Sequence, residues 1–148
     1  MNEMQTSTGP SLVMRRTFKA PRARVFAAWT DPDVLREWFG PAGATAVQVS
    51  CDAREGGAYR MAFSLDGETY VVRGVFTQVR APERLAYTFR WEEDDPALER
   101  DTFITLDFIE RGDETEMVFK QDGFRDEASR DRHEDGWNGT FDKLGATL

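Results

Sequence analysis

The sequence has one cysteine, one histidine and no apolar run long enough to span a bilayer. A lone cysteine, Cys51, excludes a disulfide within the chain, and a lone histidine, His133, argues against a zinc site. Basic residues are outnumbered, 19 against 27 acidic ones, and the net charge is −8. Such a chain lacks the basic face that nucleic-acid binding needs. From these absences we expect no metal, no cofactor, no nucleic-acid partner and no membrane insertion. Because there is also no recognisable signal peptide, we expect a cytoplasmic location.

Familiar catalytic and phosphate-binding signatures are also missing. There is no Gly-x-Ser-x-Gly nucleophile motif. Residues 55–57 lack the lysine and the helix that a phosphate loop requires, and the acidic run 92–95 lacks the spacing of a calcium loop. Cys51 lies in a strand pattern, where a small buried core residue is the expected role. We therefore assign no catalytic residue.

The hydrophobic pattern predicts the order of the secondary structure. Residues 1–11 are polar and are interpreted as a flexible tail, and residues 12–148 as a single domain. A first strand is followed by two short helices, the second capped by Asp31. From there the apolar period is two, which predicts six antiparallel strands. Asp66-Gly67 marks a tight hairpin turn, and Gly74 a bulge or bend.

The stretch 125–148 predicts a long amphipathic helix. The residues of its largely apolar face recur at helical spacing, and they are His133, Trp137, Phe141, Leu144 and Leu148. Two glycines, Gly136 and Gly139, flank Trp137 at a cost of about 1 kcal/mol each relative to alanine. They indicate either close approach or open space beside the helix, or else a loosely formed helix. The whole order predicts an α+β architecture in which a curved antiparallel sheet wraps around this helix.

Several motifs in the right order resemble a known family. They are similar to those of START-like (SRPBCC) proteins, in the branch related to the activator of heat shock protein 90 ATPase. The matching segments are residues 18–21, 25–32, 35, 38–41, 52–60, 74, 82–85, 136–137 and 144. The resemblance implies a helix-grip fold with a cavity between the sheet and the C-terminal helix. That branch often has a histidine near the end of the last strand, where this chain has Gln121, so histidine-dependent chemistry transfers poorly.

Large aromatic side chains are expected to wall this cavity. The chain has 11 phenylalanines, 4 tryptophans and 3 tyrosines. They can interdigitate and fill the interior, or hold the two layers apart, and the resemblance favours a gap. The expected wall consists of Trp38, Met61, Phe89, Phe119, Trp137 and Phe141.

Three polar residues are predicted to orient a ligand there, namely Arg16, Gln121 and His133. Arg16 lies among apolar residues and needs a partner, which is either a protein carboxylate such as Glu37 or Glu116, or a ligand anion. His133 either lines the cavity mouth and bonds a ligand or moves a proton, or it is a helix-face histidine satisfied by a strand residue. We favour a protein partner for Arg16 and the second interpretation for His133.

The resulting hypothesis is a non-enzymatic protein that binds a small hydrophobic or aromatic molecule. One alternative is a START-like enzyme of cyclase, dehydratase or hydrolase type, which would need His133 with a nearby carboxylate as its acid–base pair. Another is an interaction module that regulates a chaperone or binds another protein, which needs an exposed apolar patch.

Overall fold

Seven antiparallel strands and three α-helices make up the computed structural model, which describes residues 9–148. The strands form one sheet in the order β1-β7-β6-β5-β4-β3-β2. Their bounds are Ser11–Phe18 (β1), Thr45–Cys51 (β2), Ala58–Leu65 (β3), Glu68–Arg80 (β4), Arg84–Trp91 (β5), Thr102–Arg111 (β6) and Glu114–Asp122 (β7). The helices are Arg22–Thr30 (α1), Pro32–Trp38 (α2) and Glu127–Thr147 (α3), with a 3₁₀ turn at Pro96–Leu98. Most of the expected tail, residues 1–8, lies outside the described residues, and Ser11 already belongs to β1.

The ends of the helices are fixed by local side chains. Asp31 caps α2 by accepting a hydrogen bond from the backbone N–H of Asp33, and Pro32 occupies the first turn, as the sequence predicts. The N-terminus of α3 is capped by Asp126, whose carboxylate accepts from the N–H of Ser129 over 2.8 Å. The helix therefore begins two residues later than its apolar pattern suggests.

The hairpin between β3 and β4 follows the sequence prediction, whereas a bulge, one of the two alternatives predicted at Gly74, does not occur there. Asp66 and Gly67 have φ angles of 53° and 81°, as a primed two-residue turn requires. The register is continuous through Gly74 and shifts instead between Phe76 and Gln78. Glycine is needed at position 74 because a Cβ there would collide with the carbonyl of Thr88.

The sheet curves around α3, and the predicted apolar stripe of this helix faces it. Phe141 and Leu144 are fully buried, and Trp137 is 5% exposed. Helices α1 and α2 pack against the C-terminal half of α3, where the ring of Trp29 lies 6.1 Å from that of Phe141. This is the helix-grip arrangement expected from the resemblance. None of the helices within residues 9–148 is long and apolar enough to cross a membrane.

Candidate functional site

A pocket of about 550 Å³ opens between the sheet and the N-terminal half of α3. Its volume lies in the range of small-molecule sites. Strands β3, β4 and β5 supply one wall, and α3 supplies the other, together with the segment that follows α2. The aromatic side chains of the wall are Phe39, Phe63, Tyr70, Phe89, Trp91, Phe124 and Trp137.

These rings contact one another across neighbouring strands. Phe63 and Tyr70 are paired in register on β3 and β4 and stack with ring centres 5.5 Å apart. On β5, Phe89 meets Trp91 edge to face at 5.3 Å, and it lies 5.7 Å from Trp137 on the helix. The wall is thus a continuous aromatic surface from the sheet to α3.

A chain of buried hydrogen bonds holds Trp137 in place. Its indole N–H donates to Oε1 of Gln121 over 2.9 Å, and the amide of Gln121 donates to Oγ1 of Thr102 over 2.9 Å. The hydroxyl of Thr102 in turn donates to the carbonyl of Phe89. Every polar atom in this chain has a partner, which is the condition under which buried polar groups order a structure.

His133 is held in its neutral form by two contacts. Its Nδ1 lies 2.7 Å from the carbonyl of Ser129, which can only accept, so Nδ1 carries the proton. Its Nε2 accepts from the indole N–H of Trp91 over 2.9 Å. Burial lowers the pKa of His133 below its ordinary value. Both ring nitrogens are therefore engaged, and neither is free to exchange a proton with a ligand.

The mouth of the pocket carries the charged groups. Arg100, Arg125 and Arg132 line it together with a single acidic residue, Glu93. Ser129 and Thr140 add hydroxyl groups from α3, and the Thr140 hydroxyl is already bonded to the carbonyl of Gly136. The site thus combines an apolar interior with a mainly basic entrance.

Within residues 9–148 no group of three or more His, Cys, Asp and Glu side chains is placed to hold a metal ion. The thiol of Cys51 lies apart from the pocket, against a small void that it shares with Met61 and Tyr59. Burial raises the pKa of this thiol to about 11, which keeps it protonated and unreactive near neutral pH.

Residues 19–148 match the family model described as "Activator of Hsp90 ATPase homolog 1-like protein". The chain belongs to this family. A search of curated proteins gave no match.

Solved structures agree with this assignment. The AHSA1 protein of Silicibacter pomeroyi is 26% identical, with a TM-score of 0.84 over 93% of this chain and 96% of that one. A protein from Chromobacterium violaceum is 29% identical, with a TM-score of 0.83 over 92% and 94% of the two chains. A protein from Rhizobium leguminosarum is 27% identical, with a TM-score of 0.77 over 93% of each. The AHSA1-like chain is thus a START-like protein, as the sequence motifs indicate.

In this AHSA1-like protein, three of the nine sequence-predicted site residues line the pocket, namely Phe89, His133 and Trp137. Gln121 is buried behind the wall and acts through Trp137. His133 accepts a hydrogen bond from a strand residue, Trp91, as the favoured interpretation expects. It also lines the pocket, which is the position that the other interpretation gives it. The remaining predicted wall residues belong to the core, and they are Trp38, Met61, Phe119 and Phe141.

Arg16 does not line the pocket. Its guanidinium forms an ion pair with Asp142 of α3 at 2.6 Å and lies over the ring of Phe141 at 5.8 Å. The partner is thus a protein carboxylate, as favoured, but it is neither of the two examples named, Glu37 and Glu116, because Arg16 on the edge strand β1 lies beside α3. Glu116 pairs instead with Arg15 and Arg111.

Sequence reasoning missed several aromatic residues of the wall and all of the basic mouth. Phe63 and Trp91 share their strand faces with Met61 and Phe89, so the alternation places them inward without locating the pocket along the strand. The arginines of the mouth lie in loops or on the polar face of α3, where a solvated charge is the ordinary expectation. Only their position around the pocket distinguishes them.

Proposed function

We propose that this AHSA1-like protein is a non-enzymatic, cytoplasmic binding protein for a small hydrophobic or aromatic molecule. The observation that carries the proposal is the aromatic pocket beside Trp137, between the sheet and the N-terminal half of α3. Apolar walls with a few oriented polar groups are typical of small-molecule sites. A ligand of one or two rings would bury its surface against Phe63, Phe89 and Trp137.

Preorganisation of the wall supports this function. The indole of Trp137 is fixed by Gln121, and the indole of Trp91 is fixed by His133. Side chains that are already ordered lose little conformational freedom when a ligand binds, so more of the contact energy contributes to affinity. The two indoles thus offer a wall that does not need to rearrange.

The enzyme alternative has less support. It required His133 to act with a carboxylate, and both nitrogens of this histidine are engaged by Ser129 and Trp91. Its lowered pKa also makes it a weaker base, less able to take up a proton. The chaperone-regulating alternative rests on the family description alone. Among the exposed apolar residues, Val13 and Val47 lie on β1 and β2, the two opposite edges of the sheet, whereas Tyr70 and Leu98 line the pocket itself.

Two experiments test the proposal together. Native mass spectrometry of freshly purified protein should show a co-purifying small molecule or an apo form that takes up a neutral apolar probe. N-phenyl-1-naphthylamine, an uncharged fluorophore, should bind saturably and with one site. Absence of saturable binding would contradict the proposed function and leave the protein-interaction alternative.

A matched pair of variants locates the binding site. Gly136 lines the pocket, and a Cβ at this position would meet no atom within 4 Å. Gly136→Leu should therefore extend into the pocket and weaken probe binding about tenfold or more, while improving helix propensity by about 1 kcal/mol. Ala128→Leu adds a side chain at an exposed position of the same helix and should leave binding unchanged. Equal affinity in both variants would exclude this pocket as the binding site.

A further inference from the structure

The charge at the mouth of the pocket is opposite to that of the whole protein. The chain carries a net charge of −8. Around the pocket, however, the charged residues are three arginines and one glutamate, Glu93, and His133 is neutral. A ligand entering the pocket therefore meets positive potential on the surface of an acidic protein. Local excess charge of this kind selects a ligand of opposite sign.

Two of the arginines are held at the mouth by reciprocal bonds between neighbouring segments. Arg100 donates from Nε to the carbonyl of Gly123 over 2.7 Å, and Arg125 donates from Nη2 to the carbonyl of Leu98 over 3.2 Å. The segment before β6 and the segment after β7 are thereby tied together, with both guanidinium groups beside the pocket. The partners in these two bonds are neutral carbonyls, so the bond of Arg125 positions its side chain without cancelling its charge.

The charges of Arg125 and Arg132 are not neutralised within the part of the chain that the structure describes. Neither forms an ion pair with any of residues 9–148. The arginines at either end of β5 differ in this respect, because Arg84 pairs with Asp107 and Arg90 with Asp101, each at 2.7 Å. Arg132 lies on α3 one turn before Gly136, and both residues line the pocket.

We propose that the ligand is an amphipathic anion, a hydrophobic organic acid whose apolar body rests on the aromatic wall. Its ionised acid group would lie at the mouth against Arg125 and Arg132. Such a placement leaves the charge hydrated, which avoids the cost of burying an anion among aromatic rings. The planar guanidinium fork also matches the two oxygens of a carboxylate. This inference rests on the proposed function and adds the charge of the ligand to it.

The test uses two fluorophores with the same ring skeleton. The anion 8-anilino-1-naphthalenesulfonate differs from neutral N-phenyl-1-naphthylamine by its sulfonate group. Replacing Arg125 and Arg132 together by glutamine should weaken binding of the anion about five- to tenfold at low salt and change binding of the neutral probe by less than about twofold. Raising the salt concentration to about 0.5 M should weaken binding of the anion to the parent protein and leave binding of the neutral probe unchanged.

Two further variants provide the controls. Glu93→Gln removes the one acidic group from the lining and should strengthen anion binding about twofold. Arg36→Gln removes an arginine from α2, where it pairs with Asp33 outside the pocket, and should change neither probe. The single variant Arg132→Gln controls for a change in the structure of the mouth. Arg132 makes no hydrogen bond within residues 9–148, so its replacement removes none from the fold.

The outcomes separate this inference from the function on which it rests. Neutral-probe binding with anion affinities that are equal in parent and variants would overturn the inference and leave the proposed function standing. Failure of both probes to bind would overturn both. If the double variant binds both probes more weakly, the single variant Arg132→Gln decides between the explanations. Weaker binding of the anion alone by this variant supports the inference, and an equal weakening for both probes contradicts it.

Discussion

The indole nitrogen of Trp137 donates a hydrogen bond to Oε1 of Gln121 across 2.9 Å, and both side chains are buried. This bond joins helix α3 to strand β7 at the point where the core ends and the pocket begins. The resemblance to START-like proteins places a histidine near this position in many relatives. Glutamine supplies a donor and an acceptor without a titrating group, so the link between helix and sheet does not depend on pH.

Replacing Gln121 by leucine should lower the free energy of unfolding by about 2–4 kcal/mol, because the indole N–H of Trp137 would lose its only partner among the described residues. Urea denaturation followed by tryptophan fluorescence measures this change. The neighbouring Lys120→Leu, at an exposed position of the same strand, should stay within about 0.5 kcal/mol of the parent. Equal stability of the two variants would contradict the role given to the buried bond.

Replacing Phe141 by alanine should destabilise the protein by about 3–5 kcal/mol, because its ring is fully buried between the sheet and helix α1. Thermal and urea denaturation both measure the loss. Phe103 offers a control of identical chemistry, since it is 47% exposed and its replacement by alanine should cost about 1 kcal/mol or less. A Phe141→Ala variant that melts like the parent would mean that α3 does not pack on the sheet as described.

The two glycines that flank Trp137 should respond in opposite ways to alanine. At Gly136 a Cβ would enter open space, so Gly136→Ala should stabilise the protein by about 1 kcal/mol through helix propensity. At Gly139 a Cβ would lie 2.9 Å from the backbone nitrogen of Ala42, so the same change should bring no gain or a loss. Denaturation of the pair compares them directly. Equal stabilisation at both positions would show that Ala42 does not constrain Gly139.

The pKa of His133 should lie below its ordinary value of 6.5, because burial disfavours the charged ring. Since the folded value lies below the unfolded one, the unfolded chain binds more protons between them. The contribution of His133 to stability is therefore fully present above pH 6.5 and is lost as the pH falls through the folded pKa. The single histidine gives one Cε1–H resonance, whose NMR titration measures the pKa without assignment.

The variant His133→Gln separates the pH dependence of stability that is due to His133 from that due to the carboxylates. His133→Gln should lose less stability than the parent between about pH 7.5 and about pH 5.5, because it lacks the titrating ring. The same two pH values in urea denaturation give the comparison. A parent protein whose histidine titrates above 6.5 would refute the neutral, doubly bonded ring described here.

Most of the fold could be predicted from the sequence, because the signals that specify it are local. Asp31 and Pro32 favour the N-cap and the first turn of a helix through their own chemistry, and Asp66-Gly67 closes a hairpin through its own backbone preferences. The bulge is a counterexample. Gly74 indicated a bulge or a bend, yet the register shifts only after Phe76, and a glycine is needed at position 74 because a Cβ there would collide with the carbonyl of Thr88. A glycine shows that something needs room, and the sequence alone does not say what.

The candidate site could be predicted only in part. Phe89, His133 and Trp137 line the pocket, and their contact with a ligand stays a prediction, whereas Phe119 and Phe141 belong to the core. All five lie on faces that point inward. Arg16 forms an ion pair with Asp142 because α3 packs beside β1. These two residues are distant in the sequence, and the periodicity of either element does not predict their contact.

The sequence by itself determined the order of the elements and the face that each turns inward. Periodicity carries this information because it fixes the direction of a side chain about the axis of its own helix or strand. Only the tertiary structure decided where along those axes the interior is filled. Helices α1 and α2 cover the end of α3 near Phe141 and leave the end near His133 open, so one aromatic face becomes core at Phe141 and pocket wall at Trp137. That division depends on how whole elements pack against one another, and no local pattern contains it.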